Sequence, residues 1–366
     1  MAAPTPMRVC MVGSFPPAEG GYTNVGELLS RRFSCDHHRV IITSRRRSKI
    51  SKLIDIVGTL VLRRNEYDVV LVEVFSTFAL WYAFLAIRLA RRLDKRVVAV
   101  LHGGGLPRLA REKPRRLRAV LGPADVVASP SHYLMREVGD ALGIPIVVIP
   151  NPVEVARFPR RLRRRASPRI FWLRALHEVY RPEVAIRAVA LLREDHPDVH
   201  LTMAGPPKDG SWEKCRALVR ELGLVGAVEF PGLIDQARIG EIGDACDIFL
   251  NTSSVDNAPL SIVEALTMGL CVVTTNVGGI PSLVEDGKEA LLVSPGAVEE
   301  TAAAIRRILD QPALVESLSA NALASAMRFD IARVASLWYE LLGKLLAGEW
   351  KPGSPAASFR ESSRPA

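Results

Sequence analysis

The strongest constraint on the fold is a rhythm in the chain. Runs dense in β-branched and other apolar residues, RVCMVGS, RVIITS, DVVLVEV, RVVAVLHGG, DVVASPS and IVVIPN, alternate with helix-length segments through the first half. These runs lack the polar alternation of a half-exposed strand, so both faces of each are expected to be covered. Strands separated by helix-length crossings predict a parallel, doubly wound α/β sheet. After a Pro- and Arg-rich stretch, NPVEVARFPRRLRRRASP, the rhythm restarts with RIFWLRA, VHLTMAGP, AVEFPG, DIFLNTSS, CVVTTNVGG and ALLVSPG. A chain of 366 residues exceeds one ordinary core. Two domains are therefore expected, residues 1–155 and 156–330, with the boundary inside that stretch.

The net charge of +9 is unevenly divided. Up to residue 170 there are 30 Lys and Arg against 13 Asp and Glu; beyond it, 18 against 26. The first half thus carries +17 and the second −8. Such asymmetry fits a surface that approaches a polyanion, either anionic lipid or nucleic acid. The plainer reading is a solvated basic face. Nucleic acid is disfavoured, because no basic strand set interleaved with aromatics and no recognition-helix motif is present.

Five cysteines, Cys10, Cys35, Cys215, Cys246 and Cys271, are odd in number and widely spaced, without a C-x-x-C pair. They read as small buried residues of a reducing, cytoplasmic compartment. No secretory signal is recognised at the N-terminus. VVLVEVFSTFALWYAFLAI, from Val69 to Ile87, is long enough to span a bilayer and has only Glu73 charged. The position of Glu73 and the Ser76-Thr77 turn favour a strand followed by a packing helix. The tail, residues 349–366, is rich in Pro and Ser and is expected to be disordered.

The stretch SSVDNAPLSIVEALTMG carries Asp256 and Glu264 across a turn that opens a helix. Pro259 is expected at the first helical position, where its missing N–H costs nothing. The helix would end before Gly269. Its first free N–H groups, near Leu260 and Ser261, are suited to holding a phosphate at the carboxyl edge of the sheet. The two acids would then lie on the order of 10 Å apart, room for a diphosphate. The plainer alternative makes Glu264 an early-helix acid favoured by the dipole and Asp256 a turn former.

DNAPLSIVEALTMG and the following CVVTTNVGGIPSLVEDGKEALLVSPG resemble the retaining family-4 glycosyltransferases of the GT-B fold. The resemblance covers roughly residues 7 to 346 and is most specific from Arg174 to Pro295. It implies two Rossmann-like doubly wound domains facing a central cleft, with the last helix, about 331–348, crossing back to the first domain. It further implies that Glu264 holds the donor ribose, Asp256 the transferred hexose, and the backbone near Pro259, Leu260 and Ser261 the diphosphate. The family usually has Glu where this chain has Asp256. In FWLRALHEVYRPEVAI the family's Arg matches Arg174, which would neutralise the departing diphosphate. The nearby Lys is missing, and Arg181 is the candidate substitute, or else a solvated helix start.

VGSFPPAEGGYTNVGELL resembles the family's strand, Pro-rich loop and Gly-Gly, so Gly20 and Gly21 are expected to approach phosphate or sugar. It fails the G-x-G-x-x-G pattern of a dinucleotide dehydrogenase. His102, in LHGGG, matches a family His that faces the donor sugar. Gly205 in VHLTMAGP is counted among the substrate-binding residues. Ser131 and Asn151 match cleft positions more loosely, with a turn or cap as the plainer reading for each. No metal cofactor is expected, and the nucleotide sugar is a substrate.

The implied activity is transfer of a hexosyl group from a nucleotide-diphosphate sugar to a sugar or lipid-linked acceptor, with retention, in cell-envelope or surface glycan synthesis. A nucleotide-sugar epimerase or hydrolase of the same fold is one alternative, and a non-catalytic nucleotide-sugar-binding subunit another. SRRRSKISKLIDIVGTLVLRRN and LPRLAREKPRRLRAVL are basic segments, the first with apolar residues at helical spacing. Both fit a surface that lies on anionic lipid and presents a membrane-linked acceptor to the cleft; the plainer reading packs the apolar stripe on the sheet.

Overall fold

The structure is a computed structural model that describes residues 6–13, 15, 24–43, 46 and 48–351. The chain divides into two compact units. Apart from a short segment near the N-terminus, one unit holds the chain up to Pro152 together with the part from Ile331 onward, and the other holds Val153–Asp330.

The N-terminal unit contains β1 (Arg8–Val12), β2 (Arg39–Thr43), β3 (Val69–Val74), β4 (Arg96–Leu101), β5 (Val126–Ser129) and β6 (Val147–Val148). All pair in parallel, in the order β2-β1-β3-β4-β5-β6. Every expected strand forms, because each run is apolar on both faces. On β1, Cys10 and Val12 join a core shared with Leu60, Ile87 and Leu117. Val9 and Met11 enter the opposite core, with Phe33 and Trp338. Trp338 lies on the helix Ile331–Leu346, which covers that face.

The second unit contains β7 (Arg169–Leu173), β8 (His200–Ala204), β9 (Val228–Gly232), β10 (Ile248–Asn251), β11 (Cys271–Thr275) and β12 (Ala290–Val293). Its parallel sheet runs β12-β11-β10-β7-β8-β9. The order reverses between β10 and β7, and in the N-terminal unit between β1 and β3. Crevices beyond the carboxyl ends of strands at such reversals are where doubly wound sheets bind ligands.

The apolar run from Val69 resolves into β3 and the helix Ala79–Arg92, and no helix among the described residues is long and apolar enough to cross a membrane. Four of the cysteines are buried, but Cys35 is exposed, at the end of its helix. The Arg-rich stretch is not uniformly solvated either. Arg163 has a fully buried side chain that donates to the carbonyls of Cys246 (2.8 Å) and Gly243 (3.0 Å) and to Asp247 (3.0 Å). Arg161 reaches the same carboxylate at 2.9 Å, tying this stretch to the second unit's sheet.

Candidate functional site

Two segments meet at the reversal of the second sheet, one leaving β7 and one leaving β10. Arg174 is the first residue after β7, and its N–H donates to the Ala204 carbonyl at 3.1 Å. This approach depends on Gly205, which has φ +146° and where a Cβ would fall 1.8 Å from the Arg174 carbonyl oxygen. Only glycine suits that backbone and that spacing. Gly205 thus holds the chain under Arg174.

The Arg174 guanidinium forms an ion pair with Asp256 and lies 4.9 Å from the Tyr180 ring centroid. The Asp256 carboxylate also accepts from the Ser253 hydroxyl (3.2 Å) and the Asn257 N–H (3.0 Å). Ser253 in turn reaches Asn251 Oδ1 at 2.7 Å. Behind this loop the Gly278-Gly279 turn packs directly on its backbone. A Cβ at either glycine would sit 1.9 Å from the carbonyl oxygen of Asp256 or Asn257. Asp256 is therefore gripped on both sides.

The helix that follows runs from Leu260 to Thr267, with Pro259 as its cap (ψ 119°). This corrects the expected placement of Pro259 at the first helical position: its extended ψ leaves it just outside the helix. Pro259 has no side-chain acceptor to offer the helix's first N–H groups. Ser261 and Glu264, three apart, share a side of this helix. Ser261 is 5% exposed and Glu264 4%. Ser261 Oγ and Glu264 Oε2 are buried without a hydrogen-bond partner among the described residues. Burial raises the Glu264 carboxyl to about 7, against the opposing pull of the Arg174 charge. Two orphaned buried oxygens beside a helix start are a cradle for a ligand with hydroxyl and anionic groups.

Arg181 does not join the Arg174–Asp256 pair. It caps a helix in a left-handed conformation (φ 46°) and turns its guanidinium toward Gly296, in the loop after β12. It makes no ion pair among the described residues. Gly20 and Gly21 lie outside the described residues.

In the N-terminal unit, His102 follows β4 and stacks on Phe75, with ring centroids 5.2 Å apart. Burial lowers it to about 4, so at neutral pH it is an uncharged imidazole. Its Nε2 lies 4.0 Å from Glu73, which is then a polar contact rather than an ion pair. His102, Glu73, Phe15, Gly26 and Asn151 line one recess. Glu73 was not among the expected site residues. Cβ atoms at Gly13 and Gly26 would meet its carboxylate at 2.3 and 2.8 Å, so the site is built around it. The signal was in the sequence: Glu73 is the one charge in a doubly buried strand. Ser131 caps the helix His132–Leu142, its hydroxyl accepting from Leu134 N–H at 3.2 Å.

Comparisons with known proteins agree with this architecture. Residues 157–324 match the family described as Glycosyl transferases group 1, and residues 27–157 match Glycosyltransferase Family 4. A D-inositol 3-phosphate glycosyltransferase of Acidothermus cellulolyticus is 32% identical over 241 residues, 59% of this chain and 54% of that protein. A 2-deoxystreptamine glucosyltransferase of Streptomyces kanamyceticus is 28% identical over 246 residues, 62% of each. The chain thus spans about half the length of the first of these relatives and less than two thirds of the second. Among solved structures, Anabaena HepE in complex with UDP and glucose has a TM-score of 0.73 at 20% identity, covering 92% of this chain and 99% of that one. Sucrose-phosphate synthase of Thermosynechococcus elongatus has a TM-score of 0.72 at 18% identity, covering 93% and 100%. With two parallel doubly wound sheets and adjoining family matches from residue 27 to 324, the chain belongs to the family-4 glycosyltransferases of the GT-B fold.

Proposed function

We propose that this protein transfers a hexosyl group from a nucleotide-diphosphate sugar to a sugar or lipid-linked acceptor, retaining the anomeric configuration, in envelope or surface glycan synthesis in the cytoplasm. The observation that carries the reading is the pair of orphaned oxygens, Ser261 Oγ and Glu264 Oε2, beside the start of the Leu260–Thr267 helix. In this reading the diphosphate takes the first N–H groups of that helix, and Glu264 accepts from the ribose hydroxyls. The UDP and UDP-glucose complexes of HepE, which has the same fold, make uridine sugars the first donors to test.

Arg174 and Asp256 hold each other before the donor arrives. A bound diphosphate offers Arg174 a second anion, and Asp256 is then available to accept from a hexose hydroxyl. The glycosidic C–O bond breaks with its electron pair leaving on the diphosphate, where Arg174 stabilises the growing charge. The acceptor oxygen bonds the anomeric carbon from the same face, and its proton passes to the departing phosphate oxygen. His102, uncharged at neutral pH, supplies hydrogen bonds to sugar hydroxyls. Nothing in this sequence of steps calls on a metal.

Calorimetry with a panel of nucleotide sugars, followed by incubation with sugar and lipid acceptors, tests the proposal. The expected result is tight binding of one donor and a product whose anomeric proton coupling matches the donor's. Donor breakdown without an acceptor points to a hydrolase or epimerase, and binding without turnover to a non-catalytic subunit. Absence of binding to any donor overturns the reading.

A further inference from the structure

All of the N-terminal unit's large exposed apolar side chains, among the described residues, lie between Ile50 and Leu85. The helix Lys49–Leu62 has two apolar stripes. One, with Ile56 (1% exposed) and Leu60 (0%), enters the core. The other, Ile50, Ile54, Val57 and Val61, keeps the spacing i, i+4, i+7, i+11 and faces outward, with Ile50 74% and Ile54 66% exposed. The helix Ala79–Arg92 packs beside it and adds Trp81, 50% exposed, and Phe78 just precedes that helix. Apolar side chains of this size, left exposed on two adjoining helices among the described residues, mark an interaction surface.

Its charges identify the partner. Lys49 lies 4.8 Å from the Phe78 ring centroid. Arg116, on the neighbouring helix Pro114–Leu121, lies 5.6 Å from that of Trp81. Arg64, exposed just beyond the helix's end, adds a further cation, while Arg63 is paired with Glu66 at 2.7 Å. The acid on the first helix, Asp55, is turned to Thr43 Oγ1 at 3.0 Å. From Phe75 to Arg92 the sequence has no acidic residue. Two copies meeting through this face would oppose cation to cation. A bilayer with anionic headgroups satisfies the apolar stripe and the rim together.

We propose that the paired outer faces of these two helices dock on an anionic phospholipid surface. The aliphatic stripe and Trp81 enter the headgroup boundary, and the surrounding Lys and Arg meet lipid phosphates. The inference does not rest on the transferase reading, and donor calorimetry on the same variants keeps the two separable.

The full chain is sedimented with vesicles of phosphatidylcholine alone and of phosphatidylcholine with phosphatidylglycerol. Binding is expected only to the anionic vesicles and is expected to weaken with salt. Ile54→Asp and Trp81→Ala should each lower partitioning by about tenfold. Val225→Asp, at a site 73% exposed in the second unit, should leave it unchanged. Equal recovery with both vesicle types overturns the proposal, as does undiminished binding by the two helix variants. Self-association abolished by Ile54→Asp, with no vesicle binding, overturns it in favour of a second copy.

Discussion

At the scale of single residues, Glu264 carries the sharpest consequences. Its carboxyl is raised from 4.5 to about 7 by burial. Below pH 4.5 it is protonated in folded and unfolded chains alike, so its full contribution is present there. As pH rises toward 7 the unfolded chain ionises first, and the ligand-free protein loses stability, by roughly 3 kcal/mol across that window. A ribose that donates to Glu264 favours the carboxylate, so donor affinity should rise as pH passes through 7. The diphosphate of a nucleotide sugar has no ionisation there to confuse the trend. Calorimetry should show Glu264→Gln binding about tenfold more weakly at pH 8, with the pH slope gone. A slope that survives the substitution removes Glu264 from the donor site. Arg174→Ala should instead act on turnover, lowering kcat by about 100-fold with a smaller change in KM, because its charge matters most as the bond breaks. A change confined to KM would mean that Arg174 only binds.

At the scale of elements, the loops after β7 and β10 are shaped by what lies behind them. Gly278→Ala would put a Cβ 1.9 Å from the Asp256 carbonyl oxygen at φ +54°, pushing the loop from its place. Donor titrations should show weaker binding in this variant, while Gly287→Ala, with open space around it despite φ +72°, should leave binding intact. Arg163→Met removes a buried cation from Asp247 and strands the carbonyls of Cys246 and Gly243. Because Arg161 and Ser167 still hold Asp247, the stranded carbonyls dominate, and the second unit should lose about 2 to 3 kcal/mol in urea unfolding. These elements also show what a sequence conveys. All twelve strands were legible, most because a strand buried on both faces must be an unbroken apolar run with long crossings between, and the edge strand β9, with Glu229 and Pro231 exposed, because it continues that rhythm. The location of the second unit's acids at a strand-to-helix turn was legible for the same local reason. Partner choice was not. Arg163 sits in a charge run that reads as solvated, and its partners are some 80 residues away. The Arg174–Asp256 pair joins segments 82 residues apart. The outward stripe on Lys49–Leu62 has the same periodicity as one packed on a sheet, so spacing alone does not say which face is covered.

At the scale of the whole molecule, the two units differ in how the chain builds them. Apart from the short segment near the N-terminus, the second is one stretch, Val153–Asp330, with its own sheet, a core containing Trp172, Leu250 and Val273, and Arg174, Asp256 and Glu264. The first is assembled from two segments, and the helix Ile331–Leu346 supplies Val334, Trp338 and Leu342 to one face of its sheet. Truncation after residue 330 would uncover Val9, Met11, Leu71 and Val98, each at most 4% exposed in the complete unit. Losing a covered sheet face costs far more than the marginal stability of a domain. Residues 153–330 alone should therefore fold with one cooperative transition and bind a uridine nucleotide, seen as shifts in a ¹H–¹⁵N spectrum. Residues 1–330 should keep that transition and lose the one belonging to the N-terminal unit. If the isolated fragment folds but binds no member of a panel of nucleotides of all the common bases, then Ser261 and Glu264 are orphaned for some reason other than a donor, and the helix at Leu260 is not where the diphosphate sits.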